Sequence, residues 1–274
     1  MSVVKHHRVV FIGAGPGAVD LITLRGAQRL AECEVVLFDA LTDPGFRDLA
    51  PQARWIDVGK RGFSGLPGCD ANGQTRINAL LVSLARRGLR VARLKGGDPS
   101  VFGRLEEELL ALAQAGLEAE VVPGVTAALA AAAAAQRPLT RRGTGRSVSL
   151  TTAMTRAGTL QDGAALAAKA DTEVFYMAGK QLAALQRRLR EAGWAQDAAV
   201  LVVSRAGCAD ELVSTHRVDN LAQASVVHAG RPTVVTVGVG ARELADDRHC
   251  ARSAKTAPVE PGRAAAPPMC MSKA

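Results

Sequence analysis

Aromatic side chains are scarce in this chain: one tyrosine, two tryptophans and six phenylalanines, 3% of 274 residues. There is also no lysine-rich run. With few rings for stacking, nucleic acid is a poor partner despite a formal net charge of +8. Cysteine is sparse as well. Five cysteines, at 33, 69, 208, 250 and 270, are scattered without a Cys-x-x-Cys pair, which argues against a disulfide framework or a zinc site. The five histidines include no His-Glu-x-x-His, and no metal is expected. No apolar run is long enough to span a membrane. The opening residues Met1 to His7 lack the apolar core of a signal peptide, so a cytoplasmic enzyme is the expectation.

What is present is enough for a sizeable core, with 48% hydrophobic and 22% charged residues. The sequence pI of about 9.7 favours anionic partners. A polycarboxylate or a phosphorylated small molecule suits it, and a plain solvated basic surface is the bland alternative. The most informative stretch is Gly96-Gly97-Asp98-Pro99, which follows the predicted strand Leu89–Lys95. Adjacent glycines let a backbone turn through positive φ and come close to a ligand. Asp98 then stands at a strand's carboxyl end, where open α/β sheets bind ligands. Gly13-Ala14-Gly15-Pro16-Gly17 ends the first strand in the same way, and Pro123-Gly124-Val125-Thr126-Ala127 follows the fifth. Glycine turns at several strand ends point to one site built from several loops.

The spacing predicts strands at 8–12, 35–38, 55–58, 89–95 and 120–122, with helices at about 20–32, 74–87 and 102–115. Leu21, Leu24 and Leu30 are the expected apolar anchors of the first helix, and 59–73 reads as a loop. Alternating strands and helices mean parallel βαβ units. Thr126 is placed to cap an alanine-rich helix, 127–135, whose small side chains allow close packing. Residues 136–146 read as a linker. In the second half, 147–150, 173–176, 199–203 and 233–237 read as strands, 211–215 as an antiparallel strand, and 182–192 as an amphipathic helix. The expected domains are 1–136 and 137–246, with a disordered tail over 247–274.

One motif invites another reading. Gly13-x-Gly15-x-x-Ala18 after a strand, with Asp39 about twenty residues on, satisfies a dinucleotide-binding fingerprint. Pro16 and a helix start delayed to Asp20 count against it, because the helix amides would be displaced from a pyrophosphate. The motif also leaves the other glycine turns unexplained.

Taken in order, the stretches Val10–Gly17, Leu21–Leu24, Phe38–Leu41, Val58–Arg61, Gln74–Leu81, Arg93–Pro99, Val101–Arg104, Val122–Ala127, Pro138–Thr140 and Phe175–Met177 resemble the tetrapyrrole methyltransferases. The combination of Gly59-Lys60-Arg61, Leu94–Pro99 and Phe102-Gly103-Arg104 is similar to the branch of that family acting on uroporphyrinogen III. The resemblance spans about residues 8 to 240. It implies an α/β fold of two domains, with a mostly parallel sheet in the first, a mixed sheet in the second and a ligand cleft between them, in a homodimer. It implies S-adenosylmethionine as co-substrate, with two methylations of uroporphyrinogen III, at C2 and C7, giving precorrin-2. By resemblance, Pro16, Gly96, Gly97, Asp98, Val101, Thr126, Ala127, Met177 and Ala206 line the adenosylmethionine site. Asp39 corresponds to a proton acceptor, Lys60 to a proton donor and Arg61 to a substrate contact, while Arg104 and Glu106–Glu108 read as a charged helix start.

The chain departs from the family pattern mainly in its second half. An acid after the first glycine turn is Ala18, a Thr-His-Arg is Thr140-Arg141-Arg142, and a Thr-Gly-His is Thr151-Thr152-Ala153. A Glu-Asn pair is Ser204-Arg205, and a glycine bordering adenosylmethionine is Ala206 beside Gly207. A methylase of another precorrin and a nicotinamide-dependent oxidoreductase remain the competing readings.

Overall fold

The structure, a computed structural model, describes residues 9–39, 43–59, 69–152 and 169–244. The first half alternates as the sequence predicts. Strands β1 (Val9–Gly13), β2 (Val35–Phe38), β3 (Arg54–Asp57), β4 (Val91–Lys95) and β5 (Ala119–Val122) alternate with helices α1 (Leu24–Ala31), α2 (Cys69–Arg86) and α3 (Leu105–Gln114), and α4 (Ala127–Ala134) follows β5. The strands form a five-stranded parallel sheet in the order β3-β2-β4-β1-β5. Side chains alternate across each strand. Val10, Ile12, Val36 and Leu94 pack on one face with Leu30 of α1. Val9, Phe11, Leu37 and Val91 pack on the other with Ile77, Leu81 and Leu84 of α2 and Leu112 of α3. Both faces are covered, which is why these strands read as continuous apolar runs.

The second half contributes β6 (Val148–Thr152), β7 (Thr172–Tyr176), β8 (Ala199–Ser204), β9 (Leu212–Arg217) and β10 (Thr233–Gly238), with α5 (Leu182–Glu191) and the short α6 (Ser225–His228). Their sheet runs β6-β7-β10-β8-β9. Only β6 and β7 pair in parallel, and the rest pair antiparallel. Leu182, Leu185 and Leu189 of α5 cover one face. The other face takes Ala128, Ala130 and Ala131 of α4 against Val174, Leu201 and Val203. The alanine helix therefore follows the first sheet in the chain and packs on the second. Both sheets belong to one compact unit, Met1–Arg242.

Several local expectations need correcting. The first helix starts at Leu24, not Asp20, because Thr23 caps it by accepting the Gly26 amide at 3.1 Å. Asp20 lies in a separate 3-10 turn, Val19–Leu21. Leu24 is then at the helix start and 85% exposed, so it anchors nothing. The expected loop ends early, since α2 begins at Cys69. The helix expected from Phe102 begins at Leu105, because Phe102 and Arg104 take left-handed φ values of 52° and 56°. Thr126 is the residue before α4, but its side chain makes no capping bond. Within the segment read as a linker, Arg137 is buried and donates to Ala241 O at 2.7 Å and Thr215 Oγ1 at 2.8 Å. The expected tail, 247–274, lies outside the described residues.

Candidate active site

Three neighbouring strands, β4, β1 and β5, bring the three glycine turns together at their carboxyl ends. Gly15 and Gly97 form an antiparallel bridge. The Gly97 amide donates to Gly15 O at 2.7 Å, and the Gly15 amide donates to Gly97 O at 3.2 Å. The third turn is pressed against them. A Cβ on Gly13 would lie 2.5 Å from Gly124 Cα and 2.8 Å from Gly97 O, closer than real side chains approach. Around Gly96 and Gly97 the opposite holds: a Cβ at either would meet nothing within 4 Å. Gly97 also has φ +71°, which favours glycine. Tight packing beneath and open space above make a platform on which a ligand can rest against backbone.

Asp98 is the clamp of this platform. Its Oδ2 accepts the Gly124 amide at 2.9 Å, and its Oδ1 accepts the Ser100 amide at 2.8 Å and the Ser100 hydroxyl. Burial, the largest single influence, raises its carboxyl pKa, but the combined hydrogen bonds from Ser100 and Gly124 hold it below the usual carboxylate range. Val101 closes the turn by donating its amide to Asp98 O at 3.2 Å.

The second half reaches the same place through the turns after β7 and β8. Tyr176 ends β7, and its hydroxyl bonds Thr126 Oγ1 at 2.7 Å. The Tyr176 ring meets Phe102 edge to face at 5.0 Å. Met177 follows with φ 59° and is 39% exposed. After β8, Arg205 has φ 52° and Ala206 is buried among the α4 alanines and Val101. Gly207 O then accepts the Ala18 amide at 2.7 Å, and a Cβ on Gly207 would lie 3.2 Å from Pro16 Cγ. Pro16, Gly96, Gly97, Asp98, Val101, Thr126, Ala127, Met177 and Ala206 thus all lie in turns or helix starts that follow β1, β4, β5, β7 or β8.

The same bonds weigh against a dinucleotide site. The amides of Ala14, Gly15 and Ala18, which would face a pyrophosphate, are given to Lys95 O, Gly97 O and Gly207 O. Asp39, placed to take a ribose, pairs instead with Arg93, Nη2 to Oδ1 at 2.7 Å.

That ion pair opens on a network that the sequence reading missed. Arg93 is fully buried, and its Nε also donates to Glu108 Oε1 at 3.2 Å. Glu108 Oε2 accepts from buried Lys95 at 2.7 Å. Burial, the largest influence on the Arg93 guanidinium, pulls its pKa down, but Asp39 and Glu108 together push it up. The signal was present: Arg93 and Lys95 alternate in a strand buried on both faces, where charges need buried partners. Glu108 read as one of three acids at a charged helix start, yet it is the buried one. Arg104 bonds Glu107 through Nε at 2.6 Å and Nη2 at 2.7 Å, in keeping with a structural reading of that pair. Lys60 and Arg61 lie outside the described residues. Among the described residues, no group of three or more His, Cys, Asp or Glu side chains could hold a metal ion, and no helix is long and apolar enough to cross a membrane.

One parallel and one mixed five-stranded sheet, with glycine turns meeting at the ends of β4, β1 and β5, define an α/β protein of the kind that receives small molecules at its strand ends. Family comparison narrows the class: the tetrapyrrole (corrin/porphyrin) methylases match residues 8–222, and the chain belongs to that family. It is 37% identical over 242 residues to a uroporphyrinogen-III C-methyltransferase of Pseudomonas aeruginosa, covering 86% of this chain and 95% of that protein. It is 41% identical over 243 residues to siroheme synthase 1 of Yersinia enterocolitica, covering 88% of this chain and 49% of that one. The chain therefore spans about half the length of this second relative. Among solved structures, uroporphyrin-III C-methyl transferase from Thermus thermophilus complexed with S-adenyl homocysteine matches with a TM-score of 0.72 at 34% identity, covering 84% of this chain and 97% of that one.

Proposed function

We propose that the protein is an S-adenosylmethionine-dependent uroporphyrinogen-III C-methyltransferase, which methylates C2 and C7 to give precorrin-2. The observation that carries the reading is the Gly15–Gly97 bridge, clamped by Asp98 to Gly124, with open space over Gly96 and Gly97. Family membership and the likeness to a structure holding S-adenyl homocysteine support it.

Pro16, Gly96, Gly97, Asp98, Val101, Thr126, Ala127, Met177 and Ala206 would hold adenosylmethionine. When bound, it supplies an electrophilic methyl group on a sulfonium. Methyl transfer to carbon is an in-line displacement, so the platform's main contribution is orientation. The acceptor is a pyrrole carbon of an electron-rich macrocycle. As that carbon takes the methyl group and S-adenosylhomocysteine leaves, positive charge develops on the ring, and the Asp39 carboxylate would stabilise it or take the proton that must leave. Lys60 would return a proton. Arg61 would grip the substrate's rim of carboxylates, as suits a chain of net charge +8. We also place the working protein in the cytoplasm as a homodimer, with a division near residue 136 between its two α/β halves.

The test is incubation with uroporphyrinogen III and methyl-labelled adenosylmethionine, followed by product identification. Two labelled methyl groups, at C2 and C7, are expected. Labelling of a different precorrin alone would favour another branch of the family, and binding of a nicotinamide dinucleotide in place of S-adenosylhomocysteine would refute the methylase reading of the site.

A further inference from the structure

Arg93 and Lys95 put two full charges into a five-residue parallel strand whose residues are all buried. Such buried ion pairs are weak evidence of stabilisation, because desolvating an ion offsets most of what its partner returns. Stability therefore does not explain them. Their geometry has another consequence. Arg93 Nη1 donates to Leu37 O at 3.4 Å and to Leu94 O at 3.1 Å, and Nη2 takes Asp39 Oδ1. The guanidinium thus grips both the end of β2 and the carboxylate just beyond it. Glu108 holds the other edge of that guanidinium with Oε1 and the Lys95 ammonium with Oε2. Gln74 of α2 steadies Glu108 Oε1 at 3.2 Å and is itself tied to Asn78 Oδ1 at 2.7 Å. Asp39, Glu108, Arg93 and Lys95 make a set of two charges of each sign, in which only Asp39 reaches towards the surface, with 16% of its side chain exposed.

We propose that Glu108 is a positioning residue for the methylation: through Arg93 it fixes the Asp39 carboxylate at the site, with Lys95 balancing its charge. The proposal rests on reading Asp39 as the group that serves the reacting ring. Removing the Glu108 charge turns a charge-assisted bond to Arg93 into a neutral one and sets an uncharged amide against Lys95, so Arg93 and Asp39 shift together. A displacement of about an ångström at a reacting group costs on the order of 10²-fold in rate. The glycine platform, held by backbone bonds and Asp98, is untouched.

The experiment compares Glu108→Gln, Asp39→Asn and the double variant in the full chain, measuring kcat, KM for uroporphyrinogen III and calorimetric affinity for S-adenosylhomocysteine. The expected result for Glu108→Gln is a kcat lowered about 10²-fold, with KM and S-adenosylhomocysteine affinity within about threefold of the parent. In the Asp39→Asn background the same change should lower kcat by no more than about twofold, because its effect passes through a group already disabled. Should Glu108→Gln fail to fold, the charge-balanced Lys95→Met/Glu108→Gln protein takes its place. The proposal predicts that this protein, which lacks the carboxylate holding Arg93, turns over more slowly than Lys95→Met alone while S-adenosylhomocysteine affinity is unchanged; equal turnover would overturn it. Losses that multiply in the Asp39→Asn background, or a folded Glu108→Gln protein with full kcat, would overturn the proposal alone. Normal turnover by Asp39→Asn would overturn the reading of Asp39 beneath it as well.

Discussion

The two halves reach the site by different means. The first half presents glycine turns whose backbones touch, over a sheet covered on both faces and threaded by buried charge. The second half presents the turns after β7 and β8, where Met177 and Arg205 take left-handed φ values beside Gly207, as Phe102 and Arg104 do in the first half, and they are backed by a sheet whose edge strand β9 is largely exposed. A left-handed non-glycine residue costs about 1 kcal/mol, and such strain persists where surrounding structure demands the position. The contrast teaches a division of labour. The first half builds the glycine platform and holds the buried charges, while the second packs the turns after β7 and β8 beside it through Tyr176 and Gly207. The departures from the family pattern at Ser204-Arg205-Ala206 fall on the second half.

If the division is right, the largest effect belongs to the first half. Asp39→Asn should lower turnover by roughly 10²–10⁴-fold, the range for a lost acid–base group, while S-adenosylhomocysteine still binds. Abolished binding would instead make Asp39 part of the cofactor's own site. Next comes Gly124→Ala. The added methyl would collide with Gly97 O and lie 2.7 Å from Gly13 Cα. Overpacking of this kind costs about 1–3 kcal/mol, so a melting temperature lower by several degrees should accompany weaker S-adenosylhomocysteine binding. An unchanged melting curve would mean that the turns are not as closely locked as described.

A smaller effect is expected at the turn after β7. Met177→Gly relieves the left-handed strain and removes a side chain from the turn after β7. Stability should stay within about 1 kcal/mol of the parent, and S-adenosylhomocysteine affinity should fall about tenfold if the side chain closes over the ligand, which corresponds to about 1.4 kcal/mol. A tenfold loss without any change in fold would sharpen the comparison, and full affinity would remove Met177 from the site.

The smallest effect concerns pH and the second half alone. His228 is buried, with Nδ1 bonded to Ser204 Oγ at 2.9 Å and Nε2 to Ser214 Oγ at 2.8 Å, and His216 shares that second serine at 2.8 Å. Burial pushes both imidazoles below 6.5, and His216 and Arg231 push His228 further the same way. A base depressed in the folded state binds its proton more readily when unfolded. Stability is therefore full above about pH 6.5 and is lost as pH falls through that value towards the folded pKa, at no more than about 1.4 kcal/mol per pH unit for each histidine. Melting temperatures measured from pH 8 to pH 5 should fall below 6.5, and His228→Gln should flatten the slope. A flat parent profile would contradict the assignment.

Much of the fold was legible because its physics is local. Val35–Phe38 reads as a strand from its apolar run and is one, from Val35 to Phe38. Helix boundaries were less legible, since Thr23 and Asp20 are both good capping residues and only packing chooses between them. Of the site, the glycine turns were visible because close approach of backbone demands glycine. Their mutual contact was not, because it depends on β4, β1 and β5 being neighbours. Arg93 and Glu108 are 15 residues apart on different elements, and no sequence period links them. Tyr176 looked like the end of a strand, and its bond to Thr126 spans 50 residues.

The most direct test of the platform is calorimetry with S-adenosylhomocysteine on the parent and on Gly97→Val. Valine disfavours φ +71° and would fill the open space above the Gly15–Gly97 bridge. The account predicts that the parent binds and that a folded Gly97→Val protein does not. Equal affinity in the two proteins would contradict it, because the ligand would then lie somewhere other than over Gly97.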